Sequence, residues 1–71
     1  MHQYHVEVLI AQYEHLFPFT NQEGQDAYIS TIRMLVKEAL GDGRRNDARQ
    51  LNDLAKRLYV IYDAQNRLNI N

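Results

Sequence analysis

Reactive side chains are scarce. The chain has no cysteine, and its only hydroxyl-bearing aliphatic residues are Thr20, Ser30 and Thr31. Thr20 stands three residues before Glu23, the spacing of a helix capping box, so its hydroxyl is expected to bond a backbone amide. Ser30 and Thr31 fall inside a predicted helix, with no histidine nearby and no strained elbow to expose a nucleophile. His2 and His5 are spaced so that one helix face holds both, and His15 stands apart. Two imidazoles fall short of the three or four protein groups that zinc takes. Gly41-Asp42-Gly43-Arg44-Arg45 is glycine-rich and basic, as phosphate cradles are. It lacks both the glycine–lysine spacing and the preceding strand of a P-loop, and reads as an interhelix turn. The expectation is a protein that is not an enzyme, with no metal and no cofactor.

Residues suited to recognition are better represented. Arg45, Arg49 and Lys56 are spaced four and seven apart, which puts them on one face of a helix. They stand near that helix's amino terminus, where the dipole disfavours positive charge, so an anionic partner is their natural use. Five tyrosines accompany two phenylalanines and no tryptophan. Large rings with polar tips are favoured at interfaces, and Phe17, Phe19 and Tyr59 are the expected anchors. The expected function is a small non-catalytic protein-interaction module. It would bind and modulate a larger protein complex as an inhibitor or adaptor, in the manner of phage accessory proteins. In that role the aromatics would bury in the target while Arg45, Arg49 and Lys56 steer. The alternative is a small DNA-binding regulator whose arginines meet phosphates or guanine edges. Asp42, Asp47 and Asp53 are interleaved with these cations and count against nucleic acid.

A short segment, Gln12-Tyr13-Glu14-His15-Leu16-Phe17, resembles the glutamine-to-phenylalanine peptide that docks on bacterial sliding clamps. It departs at His15, where an aliphatic residue is usual, and lies in a predicted helix rather than an extended tail. Six residues carry no function across.

Bulk properties bound what can hold such residues in place. Seventy-one residues make one small domain. A chain of that size hides only about 60% of its unfolded surface and is marginal by itself. Without disulfides or thiolate zinc sites, its stability must come from packing or association. It is 45% hydrophobic and 24% charged, the composition of a folded protein. The formal net charge is -1 but the halves differ. Residues 1–40 carry five acids against Arg33 and Lys37, and residues 41–71 carry six cations against four aspartates. That asymmetry suits attraction between helices or subunits. The first residues lack the basic start and apolar run of a signal peptide, and no stretch approaches a membrane span. The expected location is the cytoplasm, with no membrane partner.

The elements follow from periodicity. A first helix is expected over about Gln3 to Leu16, with Val6, Leu9, Ile10, Tyr13, Leu16 and Phe17 on its apolar face. Val8 lies off that face and suggests cover on a second side. Pro18 ends the helix. Thr20 and Glu23 should cap a second helix that becomes regular near Gln25 and stops at Gly41 in a left-handed cap. Its stripe is Tyr28, Ile29, Ile32, Leu35, Val36, Ala39 and Leu40. A third helix should start at Asn46 or Asp47 and fade near Leu68, leaving a frayed tail. The fold class is therefore all-α: helices two and three form an antiparallel hairpin and helix one packs across it. Leu51, Leu54, Leu58, Ile61 and Tyr62 make a long apolar stripe on helix three. A second copy is its expected cover, giving a homodimer.

Overall fold

A computed structural model describes residues Val6–Leu68. It is all-α: α1 (Val6–Leu16), a 3-10 turn (Phe17–Phe19), α2 (Gln22–Gly41) and α3 (Arg45–Leu68). The expected frayed tail and the first turn of the predicted helix one lie outside the described residues. α2 and α3 form the antiparallel hairpin, and α1 packs on it chiefly through α3.

Each boundary has a local cause. Phe17-Pro18-Phe19 tightens into a 3-10 turn because Pro18 has no amide to continue the α-helical ladder. The expected capping box at Thr20 and Glu23 is corrected. Asn21 is the N-cap of α2, its Oδ1 accepting from the Gly24 amide at 2.8 Å. The Thr20 hydroxyl instead donates back to the Leu16 carbonyl at 2.8 Å, closing the end of α1. Gly24 fits for a steric reason, since a Cβ there would overlap Thr20 Cγ2.

The other end of α2 is also shifted. Gly41 is helical, and the left-handed residue is Gly43 at φ 77°. The Gly43 amide bonds the Leu40 carbonyl and the Arg44 amide bonds the Ala39 carbonyl, a Schellman closure. α3 opens at Arg45 rather than Asn46 or Asp47. Asp47 does not cap it with its own side chain. Its carboxylate takes Arg44 Nη1 at 3.0 Å, while Arg44 Nη2 reaches Asp42 at 3.3 Å. The Asp47 hydrogen bond first, and Asp42 after it, raise the Arg44 pKa above its ordinary value.

One core unites the three helices. Val6, Phe17, Ile29, Ile32, Leu51, Leu54, Ala55 and Leu58 are buried together, with Leu9, Ile10, Tyr13, Leu35, Ile61 and Tyr62 packed around them. Burying a leucine or isoleucine fully contributes about 1.5–3 kcal/mol. This corrects the expected homodimer stripe. Leu51, Leu54 and Leu58 are at most 1% exposed in the single chain, so α1 and α2 already cover them. Ile61 and Tyr62 are half-buried against the same core. α1 is covered on one side only: Val8 is exposed rather than roofed. The radius of gyration is 13.0 Å, against about 11 Å for a compact globule of this length. The hairpin is long, and α1 spans less than half of α3.

Candidate interaction surfaces

The covered flank of the hairpin shows where the open one must be. Arg57 Nε donates to Glu14 at 2.6 Å and ties α3 to α1. Tyr13 of α1 meets Tyr28 of α2 with ring centroids 4.7 Å apart and a 50° tilt. Burial first, and the neighbouring Tyr28 second, raise the Tyr13 pKa above its ordinary value. Tyr59 lies two residues beyond Arg57, about 200° around the helix, and so points away from α1. Its hydroxyl accepts from Arg33 Nη1 at 3.4 Å across the open flank.

Further along that flank, at the turn end of the hairpin, the two helices leave a groove of about 450 Å³. Val36, Leu40 and Ala48 supply its apolar lining; Arg45, Arg49 and Asn52 complete it. Ala48 is buried, whereas Leu40 is 57% exposed. Leu40 was expected in the core stripe, and it instead forms the lip of the groove. A smaller recess of about 210 Å³ lies on α2 among Ser30, Arg33, Met34 and Lys37.

The expected anchors separate. Phe17 is 0% exposed and belongs to the core, which corrects its assignment as a contact residue. Phe19, two residues on, is 84% exposed. Its ring lies 6.3 Å from that of His15, so α1 and the turn share an outward aromatic corner. With Phe17 buried, the segment resembling the clamp-docking peptide cannot offer its terminal phenylalanine. Arg45, Arg49 and Lys56 are all exposed on α3, and among the described residues none takes part in an ion pair. Arg44 and Arg57, by contrast, are engaged by carboxylates.

A polar cluster fixes the turn that carries Phe19. Gln25, only 2% exposed, donates to the Phe17 carbonyl at 2.9 Å and to Gln65 Oε1 at 2.6 Å. Gln65 in turn donates to the Pro18 carbonyl at 3.1 Å. Gln22 reaches the Tyr62 hydroxyl at 3.2 Å. Sequence reasoning missed this cluster. Its one signal is a glutamine, Gln25, at a core-facing position one turn before Ile29.

Among the described residues no group of three or more potential metal ligands assembles, and no helix is long and apolar enough to cross a membrane. His2 and His5 lie outside the described residues. Comparisons with protein-family models, with curated proteins and with solved structures returned no match.

Proposed function

We propose that this chain is a non-catalytic protein-interaction module that docks on a larger protein through the aromatic corner of α1 and the 3-10 turn, and modulates it by occlusion. The observation that carries this reading is Phe19. A phenylalanine left 84% in water sits on a turn whose preceding carbonyls are held by Gln25 and Gln65. A large ring on a rigid mount loses little freedom on docking, which is what an interface anchor requires. Val8 and Leu16 are two further apolar side chains of α1 left exposed. The test is photo-crosslinking in native host cells from a benzophenone side chain placed at position 19, beside a control at Ser30 on α2. Discrete adducts from position 19 alone support the reading. No adduct, or the same ladder from both positions, rejects it.

A second reading, duplex-DNA binding by the start of α3, is favoured by the exposed Arg45 and Arg49. It is weakened by the carboxylates that already engage Arg44 and Arg57. Duplex affinity that falls steeply with salt, and is lost in R45A/R49A, would favour it.

A further inference from the structure

The open flank of the hairpin gathers cations from both of its helices. On α3, Arg45, Arg49 and Lys56 fall within about 40° of one another at 100° per residue. On α2, Arg33, Lys37 and Leu40 fall within about 60°. Two contacts show that these faces border one flank. Arg33 donates to the Tyr59 hydroxyl, and Leu40 lines the same groove as Arg45 and Arg49. Arg33, Lys37, Arg45, Arg49 and Lys56 are all exposed, and among the described residues none is in an ion pair. The acids in line with them stand toward the other end of the hairpin. Asp26 precedes Arg33 by seven residues and Asp63 follows Lys56 by seven, about 10 Å in each case. Asp53 lies about 40° beyond Arg49, on the side away from the groove. The turn half of the flank therefore sets like charges around an apolar floor, and the α3 dipole adds to the cost at Arg45 in its first turn. The chain spends its nearby carboxylates on Arg44 and Arg57 instead. An anionic occupant relieves the repulsion, and the floor of Val36, Leu40 and Ala48 says which kind. A phosphate backbone has no use for apolar side chains, whereas Leu40, 57% exposed, leaves water only under another apolar group.

We infer that the turn half of this flank is the docking site for an acidic amphipathic helix of a partner protein. Its aliphatic side chains lie on Val36, Leu40 and Ala48. Its carboxylates meet Arg45, Arg49 and Lys56 on one rim and Arg33 and Lys37 on the other. A floor between two helices is the geometry in which such a helix lays its apolar face. From Arg45 to Lys56 the α3 rim runs about 16 Å, so about three turns of partner helix span it. Charge steers the encounter and the apolar contact holds it, so binding is salt-sensitive without being purely electrostatic. The groove, about 450 Å³, lies toward the small end of ligand sites. The dissociation constant for a single helix is accordingly on the order of 10–100 μM. This goes beyond the docking reading, because the site shares no residue with the Phe19 corner. It competes with the duplex reading for Arg45 and Arg49, and the test separates the two.

The test is fluorescence anisotropy at low salt, with the whole chain titrated into a labelled, stapled helix of about 14 residues. That probe carries leucine at i, i+3, i+4 and i+7 and glutamate at most other positions. A second probe has alanine in place of every leucine, and a third is a labelled DNA duplex. Circular dichroism checks the fold of each variant. The leucine probe should bind, and the alanine probe should bind about tenfold more weakly or worse. R45E/R49E and R33E/K37E should each weaken the leucine probe about tenfold or more, and L40S about threefold. R67E changes the net charge as R45E does but stands at the far end of α3, so it should alter the affinity by less than about twofold. F19A should leave it unchanged, so this site and the Phe19 corner can fail independently. No binding of the leucine probe at about millimolar protein overturns the inference. So does equal binding of the alanine probe, or a loss in R67E as large as in R45E. Duplex DNA bound more tightly than the leucine probe, and lost in R45E/R49E, also overturns it and gives the flank to nucleic acid.

Discussion

Gln25 of α2 and Gln65 of α3 meet at 2.6 Å, and between them they hold the Phe17 and Pro18 carbonyls of the 3-10 turn. The pair does for the turn what a disulfide does in many small domains. It ties the 3-10 turn and the start of α2 to the distant end of α3, where α1 reverses into α2. No buried side-chain nitrogen or oxygen among the described residues lacks a partner, so the network is closed. Closed networks specify one arrangement, and half-open ones are costly.

Gln25→Leu should therefore destabilise although it adds apolar surface. It strands Gln65 and removes the side-chain donor to the Phe17 carbonyl, at a cost of about 1–3 kcal/mol. In a domain of this size that lowers the melting temperature by roughly 5–20 °C. Q25L/Q65L should recover part of the loss, because removing both partners leaves fewer polar groups unsatisfied. Thermal unfolding followed by circular dichroism measures both. Equal melting temperatures for the chain and Q25L would reject the role assigned to the pair.

The three glycines should respond differently to alanine. At Gly24 a Cβ overlaps Thr20 Cγ2, and at Gly43 it is forced into positive φ. Each substitution should cost about 1 kcal/mol or more. Gly41 is helical, with open space where a Cβ would go. Gly41→Ala should therefore stabilise, by about 0.5–1 kcal/mol. Denaturant midpoints give the order. A stabilising Gly43→Ala, or a destabilising Gly41→Ala, would contradict the assignment of the left-handed cap.

Much of this architecture was legible because periodicity survives without tertiary knowledge. Ile29, Ile32, Leu51, Leu54 and Leu58 repeat at three and four, and all five are buried. The caps were less legible because neighbours of similar chemistry compete. Thr20 and Asn21 can each cap a helix, and only the need of the Leu16 carbonyl for a donor decides between them. Gly41 and Gly43 compete in the same way, and the Schellman closure chooses Gly43. What covers a stripe was not legible either. A leucine row facing α1 and α2 has the same spacing as one facing a second copy. The groove was hidden for a different reason. It depends on a small residue, Ala48, opposite the Val36–Leu40 side of α2, and the pairing register is a property of the hairpin rather than of either helix.

Alkaline stability should depend on Tyr13. Its pKa is raised, by burial first and by Tyr28 second, so the folded chain disfavours the tyrosinate. In the unfolded chain tyrosine ionises near pH 10. The contribution is therefore complete below about pH 10 and is lost as pH rises through the higher folded value. Tyrosine ring-carbon NMR shifts should place the Tyr13 titration above that of the unfolded chain. Tyr13→Phe keeps the ring against Tyr28 and removes the ionisation, so it should make stability fall less between neutral pH and pH 11. An unchanged alkaline profile would count against the burial of this hydroxyl as its cause.

Phe17 and Phe19 supply the sharpest contrast between a fold residue and a surface residue. Only Pro18 separates them, and composition alone gives them the same expected role. The 3-10 turn advances about 120° per residue, so two steps point the rings apart. Phe17 goes into the core, with its ring centroid 6.1 Å from that of Tyr28, and Phe19 goes out beside His15. Phe17→Ala should cost about 3–5 kcal/mol, by lost transfer energy and the cavity left behind. For a domain this small that takes most of the stability, and much of the population should be unfolded at 37 °C. Phe19→Ala should change stability by no more than about 0.5 kcal/mol, because an exposed ring contributes little to the folded state. Urea unfolding of the two variants measures both values. Similar costs at the two positions would mean that Phe19 also packs within the chain, and it would then be no anchor. A large cost at Phe17 alone separates the two roles and leaves Phe19 available to a partner.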